Sequence, residues 1–180
     1  MPILATLPIA NLSPARYLDT IGSADCPMPN QALILVVEDS DDHVLLLRHA
    51  FEKAGITNPI QVATTGEDAI NYLAGTERYV DWNKFPLPSI VLLDLKLPGL
   101  DGFAVLRWIR QRPNLKGLRV CMLTSSDLDQ EINTAYDLGA NAFLTKPIDL
   151  NRLVEMMKIF WAHWLEFARA PKISRLPNAS

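Results

Sequence analysis

The sequence has few cysteines and no cluster of basic residues. Only Cys26 and Cys121 occur among the 180 residues, so neither a disulfide framework nor a cysteine metal site can be argued from them. Charged residues make up 21% of the chain and the net charge is −3, which leaves no basic surface to neutralise nucleic acid phosphates. We therefore expect a protein of the reducing cytoplasm that binds neither nucleic acid nor membrane.

Long hydrophobic runs are also missing. The N-terminus starts with apolar residues, but no basic segment precedes them and Pro2, Pro8 and Pro14 interrupt them. This pattern predicts neither a signal peptide nor a membrane span. Residues 1–31 are rich in proline, alanine, serine and asparagine, and we interpret them as a flexible extension. Residues 171–180 are interpreted as a short polar tail.

Between these ends, strand patterns alternate with helix patterns. Five apolar runs predict buried strands, and an amphipathic segment that predicts a helix follows each of them. The runs are "LILVVED", "IQVAT", "SIVLLD", "LRVCMLT" and "NAFLT". Short connections in such a series require a mainly parallel sheet with helices on both faces. We predict one α/β domain over residues 32–170, a flavodoxin-like, doubly wound sheet of strand order 2-1-3-4-5.

Polar residues stand where the predicted strands end. Glu38 and Asp39 end the first strand, Asp94 the third and Thr124 the fourth, while Lys146 follows the fifth. Since parallel strands end at one edge of the sheet, we expect three acids, a hydroxyl and an ammonium to converge there. Crowded carboxylates need a cation, and oxygen ligands favour a hard ion such as Mg²⁺. We therefore predict a Mg²⁺ site, with Lys146 adding positive charge for an incoming anion.

The motifs "VVEDSDD", "VLLDLKLPGLDG", "MLTSS" and "GANAFLTKP" occur in this order. In order and spacing they resemble the receiver domains of two-component response regulators, from residue 32 to about residue 161. The resemblance implies a CheY-like fold and a signalling protein rather than an enzyme, with Asp94 accepting a phosphoryl group from a histidine kinase. It also implies that Asp39 binds Mg²⁺ directly, Glu38 mostly through water, and the backbone carbonyl of Lys96 as a further ligand.

The same resemblance assigns the residues that respond to phosphorylation. Thr124 and Lys146 are expected to hold the phosphoryl group, and Phe143 takes the place of the switch aromatic that turns inward when Thr124 moves. We expect Thr124 and Lys146 to reach the group only after the loops following strands 4 and 5 shift. The resemblance further implies a cis peptide bond before Pro147.

The last predicted helix, residues 149–170, is apolar over much of its circumference. The residues expected to pack on the sheet are Leu150, Leu153, Val154, Met157, Trp161, Trp164 and Leu165, and those expected elsewhere on the helix are Met156, Ile159, Phe160 and Phe167. Since we expect no effector domain after the receiver, this helix suggests output through a homodimer that uses helix 4, strand 5 and helix 5. Cover by the N-terminal extension or by the aromatic loop before strand 3 is the alternative.

That loop, "TERYVDWNKFPLP", and the tryptophans after helix 5 resemble the standalone receivers that partner bacterial phytochrome histidine kinases. A Mg²⁺ phosphatase of the haloacid-dehalogenase type is a competing hypothesis, although such enzymes usually carry a second Asp where this chain has Lys96. A receiver-like module without phosphorylation is a third, disfavoured by the complete set of site residues. A flavin or dinucleotide carrier is disfavoured because no G-x-G-x-x-G follows the first strand. His43, His49 and His163 are expected to be surface or half-buried residues of helices rather than metal ligands.

Overall fold

Five strands and five helices alternate in the computed structural model, which describes residues 32–125, 128–147 and 149–166, the last four without their side chains. They are β1 (Ile34–Val37), α1 (Asp41–Lys53), β2 (Ile60–Ala63), α2 (Gly66–Ala74), β3 (Ile90–Leu93), α3 (Gly102–Arg110), β4 (Arg119–Thr124), α4 (Asp129–Asp137), β5 (Ala142–Thr145) and α5 (Leu150–Glu166). The extension 1–31, the tail 171–180 and Phe167 lie outside the described residues. None of the helices in the described ranges is long and apolar enough to cross a bilayer.

The strands form one parallel sheet in the order β2-β1-β3-β4-β5. Ile34 of β1 is aligned with Ile60 of β2 and with Ile90 of β3. Every residue of β1 and β3 is buried, as required of parallel strands that helices cover on both faces. The predicted fold and strand order are therefore confirmed. The order reverses between β1 and β3, so their carboxyl ends border the crevice where such sheets carry their functional sites.

Two apolar layers cover the sheet. Leu35 and Val37 of β1 face the layer that α2, α3 and α4 complete, whereas Ile34 and Val36 face the layer of α1 and α5. This division follows from the alternation of side chains along a strand. Both layers extend to the carboxyl ends of β1 and β3, and their packing holds these two ends in place.

The buried face of α5 differs from the predicted one. Leu153, Met157 and Phe160 are 3%, 0% and 8% exposed, so Phe160 belongs to the face that packs on the sheet. The reason is the helical period, which places residues four and seven positions after Leu153 on the same side. Ile159 is 65% exposed, as expected of the other side. The predicted roles of Trp164 and Leu165 concern side chains outside the described set.

The connection before β3 is folded rather than open. It contains a 3₁₀ helix, Glu77–Tyr79, and the rings of Tyr72, Tyr79 and Phe85 pack edge to face at 4.9 to 6.2 Å between centroids. The Tyr72 hydroxyl donates to the Pro86 carbonyl at 2.7 Å. These aromatics pack in the layer of α2, on the opposite side of the sheet from α5. The alternative that this loop covers the last helix is therefore wrong.

A network centred on Arg110 fastens the edge of the sheet where the strands begin. Its guanidinium donates to the Gly139 carbonyl at 2.9 Å, the Leu118 carbonyl at 2.8 Å and Asn141 Oδ1 at 3.0 Å. Asn141 Oδ1 also accepts from the Val120 amide at 2.8 Å. Burial lowers the pKa of Arg110 because charge is disfavoured away from water. The network joins the end of α3, the start of β4 and the turn that leads from α4 into β5.

The two ends of α4 are held differently. Leu128, at its N-cap position, has no polar side chain to accept from the first turn, and Ala135 is the buried residue of the helix. By contrast, Ser40 caps α1 by accepting from the His43 amide at 3.3 Å, as predicted. The C-terminal end of α4 adjoins Gly139, whose carbonyl Arg110 holds. Among the described residues, the helix therefore has a side-chain anchor next to its C-terminal end and no side-chain cap at its start.

Candidate functional site

Glu38, Asp94 and Lys146 meet at the carboxyl ends of the strands. Lys146 Nζ donates to Glu38 Oε2 at 2.6 Å and to Asp94 Oδ2 at 2.9 Å. Glu38 is 2% and Asp94 7% exposed, so both carboxylates lie where an unpaired charge would be costly. The shared ammonium supplies the opposite charge that allows an acid to end each of two buried strands.

Asp39 completes a group of three acids. One carboxylate oxygen each from Glu38, Asp39 and Asp94 lies within 4.8 Å of the other two, and Asp39 is exposed to solvent. Three carboxylates beside one ammonium leave an excess of negative charge. An oxygen-only donor set with such an excess fits a hard divalent cation. The predicted convergence of acids is thus present at the sheet edge.

The backbone after β3 bends closely around Asp94. The Lys96 amide donates to Asp94 Oδ1 at 3.4 Å. A Cβ on Gly102 would lie 2.3 Å from the Asp94 carbonyl oxygen, so only glycine lets the start of α3 approach the strand end. The predicted Lys96 carbonyl ligand belongs to this bend, and its role stays a prediction.

Thr124 and Lys146 are tied through the backbone. Thr124, the last residue of β4, is aligned with Thr145 and its carbonyl accepts from the Lys146 amide at 2.7 Å. The Thr124 side chain is fully buried. Phe143 is half-buried, is aligned with Met122 and packs on the layer of α2 and α3. The structure thus places Thr124 beside the lysine that contacts Asp94, and it places Phe143 in β5, three residues before that lysine.

Lys146 already contacts the unmodified Asp94 carboxylate, because its long side chain extends from the end of β5 across β4 to β3. The loop shift expected for contact with a phosphoryl group stays a prediction. One expectation about this region is wrong. The peptide bond before Pro147 is trans, since no cis bond occurs in the described part of the chain. The trans form is the favoured one even before proline.

The contact of His43 with Glu38 was not predicted from the sequence. His43 Nδ1 lies 2.9 Å from Glu38 Oε1, and the Ser40 amide approaches the same oxygen at 3.4 Å. The prediction placed His43 on a helix as a surface or half-buried residue, and its ring is half exposed. The available signal was its place in the first turn of α1, directly after the acidic strand end.

Comparison of the sequence with known proteins identifies a family of signalling domains. A family model for the response regulator receiver domain matches residues 34–158. The probable methanogenesis regulatory protein FilR2 of Methanothrix harundinacea is 38% identical over 73% of this chain and 84% of its own length. Response regulator Rcp1 of Synechocystis sp. is 32% identical over 77% of this chain and 92% of Rcp1.

Solved structures agree with this result. Response regulator RPA3017, described in red light signaling of R. palustris, superposes with a TM-score of 0.75 at 36% identity over 78% of this chain and 98% of its own. The phosphorylated cyanobacterial phytochrome response regulator RcpA superposes with a TM-score of 0.71 at 30% identity, over 78% of this chain and 99% of RcpA. The Mn²⁺-bound form of Rcp1 superposes with a TM-score of 0.69 at 33% identity, over 78% of this chain and 99% of Rcp1.

These matches agree with the geometry at the sheet edge. Receiver domains bind Mg²⁺ or Mn²⁺ at an acidic pocket, phosphorylation on an aspartate is typical of them, and they are generally signalling modules rather than enzymes. The phosphatase and nucleotide-carrier alternatives therefore receive no support. The chain belongs to the response regulator receiver domain family and is a response regulator of two-component signalling.

Proposed function

We propose that Asp94 receives the phosphoryl group from a phosphohistidine of a kinase. The observation that carries this assignment is the contact of Asp94 with Lys146 at 2.9 Å inside the acidic cluster. In the transfer an Asp94 oxygen bonds to phosphorus, the phosphorus–nitrogen bond breaks, and the released imidazole takes up a proton. Negative charge on the transferring oxygens must be neutralised, and Lys146 lies where it can do so.

We assign Mg²⁺ binding to Glu38, Asp39, Asp94 and the Lys96 carbonyl. When bound, Mg²⁺ neutralises charge on the transferring group. Both oxygens of Glu38 already have protein partners, whereas Asp39 is exposed. This difference supports Asp39 as a direct ligand and Glu38 as one that acts mostly through water.

Thr124, Lys146 and Phe143 are the residues proposed to respond. An aspartyl phosphate adds negative charge and strong acceptor oxygens beside Lys146, which is now shared with Glu38. Because the Lys146 amide is bonded to the Thr124 carbonyl, the ends of β4 and β5 should respond together. Phe143 lies on β5, and α4 has no side-chain cap at its start, so the change should appear on α4, β5 and α5.

Intact-mass spectrometry with Mg²⁺ and acetyl phosphate tests the acceptor. One added phosphoryl group is expected on the wild type, none after chelation of the metal and none on Asp94→Asn, which keeps the shape but loses the nucleophile. Asp137→Asn, an exposed acid on α4, is the matched control and should be modified like the wild type. Phosphoryl uptake by Asp94→Asn at the wild-type level would show that another residue is the acceptor. If no form takes up a phosphoryl group, the chain would instead be a receiver-like interaction module without phosphorylation.

We also propose a homodimer through α4, β5 and α5. Tyr136 is 51% and Ile159 65% exposed, so both helices present apolar side chains to solvent. In analytical ultracentrifugation with and without a phosphoryl analogue, Tyr136→Asp and Ile159→Asp should shift the protein toward monomer. Leu45→Asp on α1 introduces the same change at an equally exposed apolar residue (59%) and should not. A wild-type chain that is monomeric under both conditions would contradict the dimer.

We propose a bacterial phytochrome-type histidine kinase in the cytoplasm as the phosphoryl donor. The support is the similarity to RcpA, a phytochrome response regulator, and to RPA3017, described in red light signaling. Phosphotransfer from a purified phytochrome-type kinase should be faster than from a kinase of another sensor class, both measured with labelled phosphate. Equal rates from both would remove this assignment while leaving the acceptor assignment intact.

A further inference from the structure

Glu38 has a different partner on each carboxylate oxygen. Oε2 accepts from Lys146 at 2.6 Å, and Oε1 lies 2.9 Å from His43 Nδ1. The side chain of Glu38 is 2% exposed, whereas that of His43 is 50% exposed. A nearly buried carboxylate is therefore held through both of its oxygens, and one of the two partners is open to water.

The chemistry of the contact fixes the state of the imidazole. A carboxylate only accepts hydrogen bonds, so His43 Nδ1 must carry a hydrogen and donate it to Oε1. The backbone of His43 is fixed as well, because its amide donates to the capping Ser40 hydroxyl at 3.3 Å. The helix cap and the imidazole therefore act together: the cap orients the first turn of α1, and the ring orients Glu38.

The hydrogen bond of Lys146 to Glu38 would weaken when Asp94 is phosphorylated. Lys146 now contacts Glu38 and Asp94 at once. A phosphoryl group on Asp94 would bring additional acceptor oxygens to the same ammonium. His43 then remains as the partner that keeps Glu38 in place.

We propose that His43 is a positioning residue, which holds Glu38 in the orientation that the Mg²⁺ site requires. The inference rests on the proposed function, because it concerns the metal site of the phosphoacceptor. Loss of the imidazole would leave Oε1 with only the 3.4 Å approach of the Ser40 amide among the contacts found for it in the described residues. Glu38 would then turn toward Lys146 or toward water, and the metal site would lose a fixed carboxylate.

Calorimetric Mg²⁺ titration of the full chain at a single pH tests the role. His43→Ala should weaken Mg²⁺ binding by about tenfold, the lower end of the cost of losing an outer-shell partner, because water can replace part of the bond at this exposed ring. His43→Asn retains an N–H donor near the position of Nδ1 and should recover most of the affinity. His49→Ala, at an exposed histidine of the same helix, should match the wild type. Circular dichroism confirms that each variant is folded.

A nitrogen-detected NMR spectrum of the His43 ring is the second readout and does not depend on metal. A ring with a hydrogen on Nδ1 supports the contact, and a ring with a bare Nδ1 overturns it. Wild-type affinity in His43→Ala, or an Asn variant as weak as the Ala variant, also overturns the positioning role. If the wild type itself binds no Mg²⁺, the proposed metal site fails together with this inference. If it binds Mg²⁺ and accepts phosphate normally while His43→Ala is unchanged, the inference alone fails.

Discussion

Replacement of Lys146 by methionine would measure how strongly one ammonium holds two acids at the sheet edge. Methionine keeps an unbranched side chain of similar length and removes the charge. Glu38 and Asp94 would keep their buried positions, with side chains 2% and 9% exposed, and would lose their shared partner. Loss of one partner of a buried ion pair costs about 3–5 kcal/mol, and since the Lys146 side chain is 13% exposed we expect about 3 kcal/mol.

Urea unfolding followed by circular dichroism gives this free energy of unfolding, first with a chelator and then with Mg²⁺. Lys158→Met is the matched control, because Lys158 also forms a 2.9 Å ion pair with an acid, Glu155, but on the exposed surface of α5. It should lose at most about 1 kcal/mol, as is usual for surface pairs. Saturating Mg²⁺ should stabilise Lys146→Met more than the wild type, because the metal no longer competes with the lysine for Glu38 and Asp94.

The two parts of this result have separate meanings. Equal unfolding free energies for Lys146→Met and Lys158→Met under chelation would refute the claim that the ammonium compensates the buried acids. A large loss with the same response to Mg²⁺ as the wild type would keep the ion pair but reject competition between Lys146 and the metal for the two acids. A large loss with no response to Mg²⁺ in either form would reject the acidic cluster as a metal site.

Further predictions concern Gly102, Arg110 and Cys121. Gly102→Ala should destabilise the protein by about 1–3 kcal/mol and weaken Mg²⁺ binding, since its Cβ would press on the Asp94 carbonyl; unchanged unfolding and titration curves would contradict this. Arg110→Met should cost about 2 kcal/mol in urea unfolding because carbonyl groups and Asn141 Oδ1 lose their donor, and Arg110→Lys should recover little, since an ammonium lacks the planar fork. Burial raises the pKa of the Cys121 thiol well above its usual range, so iodoacetamide at mildly alkaline pH should label Cys121 only after unfolding; rapid labelling of the native chain, mapped by peptide mass, would contradict its burial. The raised pKa also means that the contribution of the neutral Cys121 thiol to stability is lost as pH rises above about 8.5, where the unfolded thiol ionises, and Cys121→Ala should reduce the pH dependence of unfolding in that range.

The parts of the site that could be predicted depend on backbone periodicity. An apolar run that ends in an acid fixes where Asp94 stands, and parallel pairing then brings it to the same edge as Glu38 and Lys146. These relations need no knowledge of side-chain conformation. The sequence therefore predicted the order of the strands and the convergence of the charged groups.

The parts that were missed depend on side-chain direction and on packing within irregular loops. The contact of His43 with Glu38 requires the exact angle of the first turn of α1, which the Ser40 cap sets. The reach of Lys146 depends on the rotamers of a long side chain. Burial of Tyr79 results from packing against the nearby rings of Tyr72 and Phe85, and no helix or strand period in the loop marks it.

The Arg110 network has a consequence for how motion is distributed in this chain. It fixes the turn at Gly139, where α4 ends, while the first turn of the same helix has an apolar residue, Leu128, at its N-cap. If α4 moves as a rigid helix, the end held at Gly139 acts as the pivot and the displacement grows with distance from Gly139. A partner that contacts the beginning of α4 would therefore experience a larger change than one that contacts its end, for the same event at Asp94.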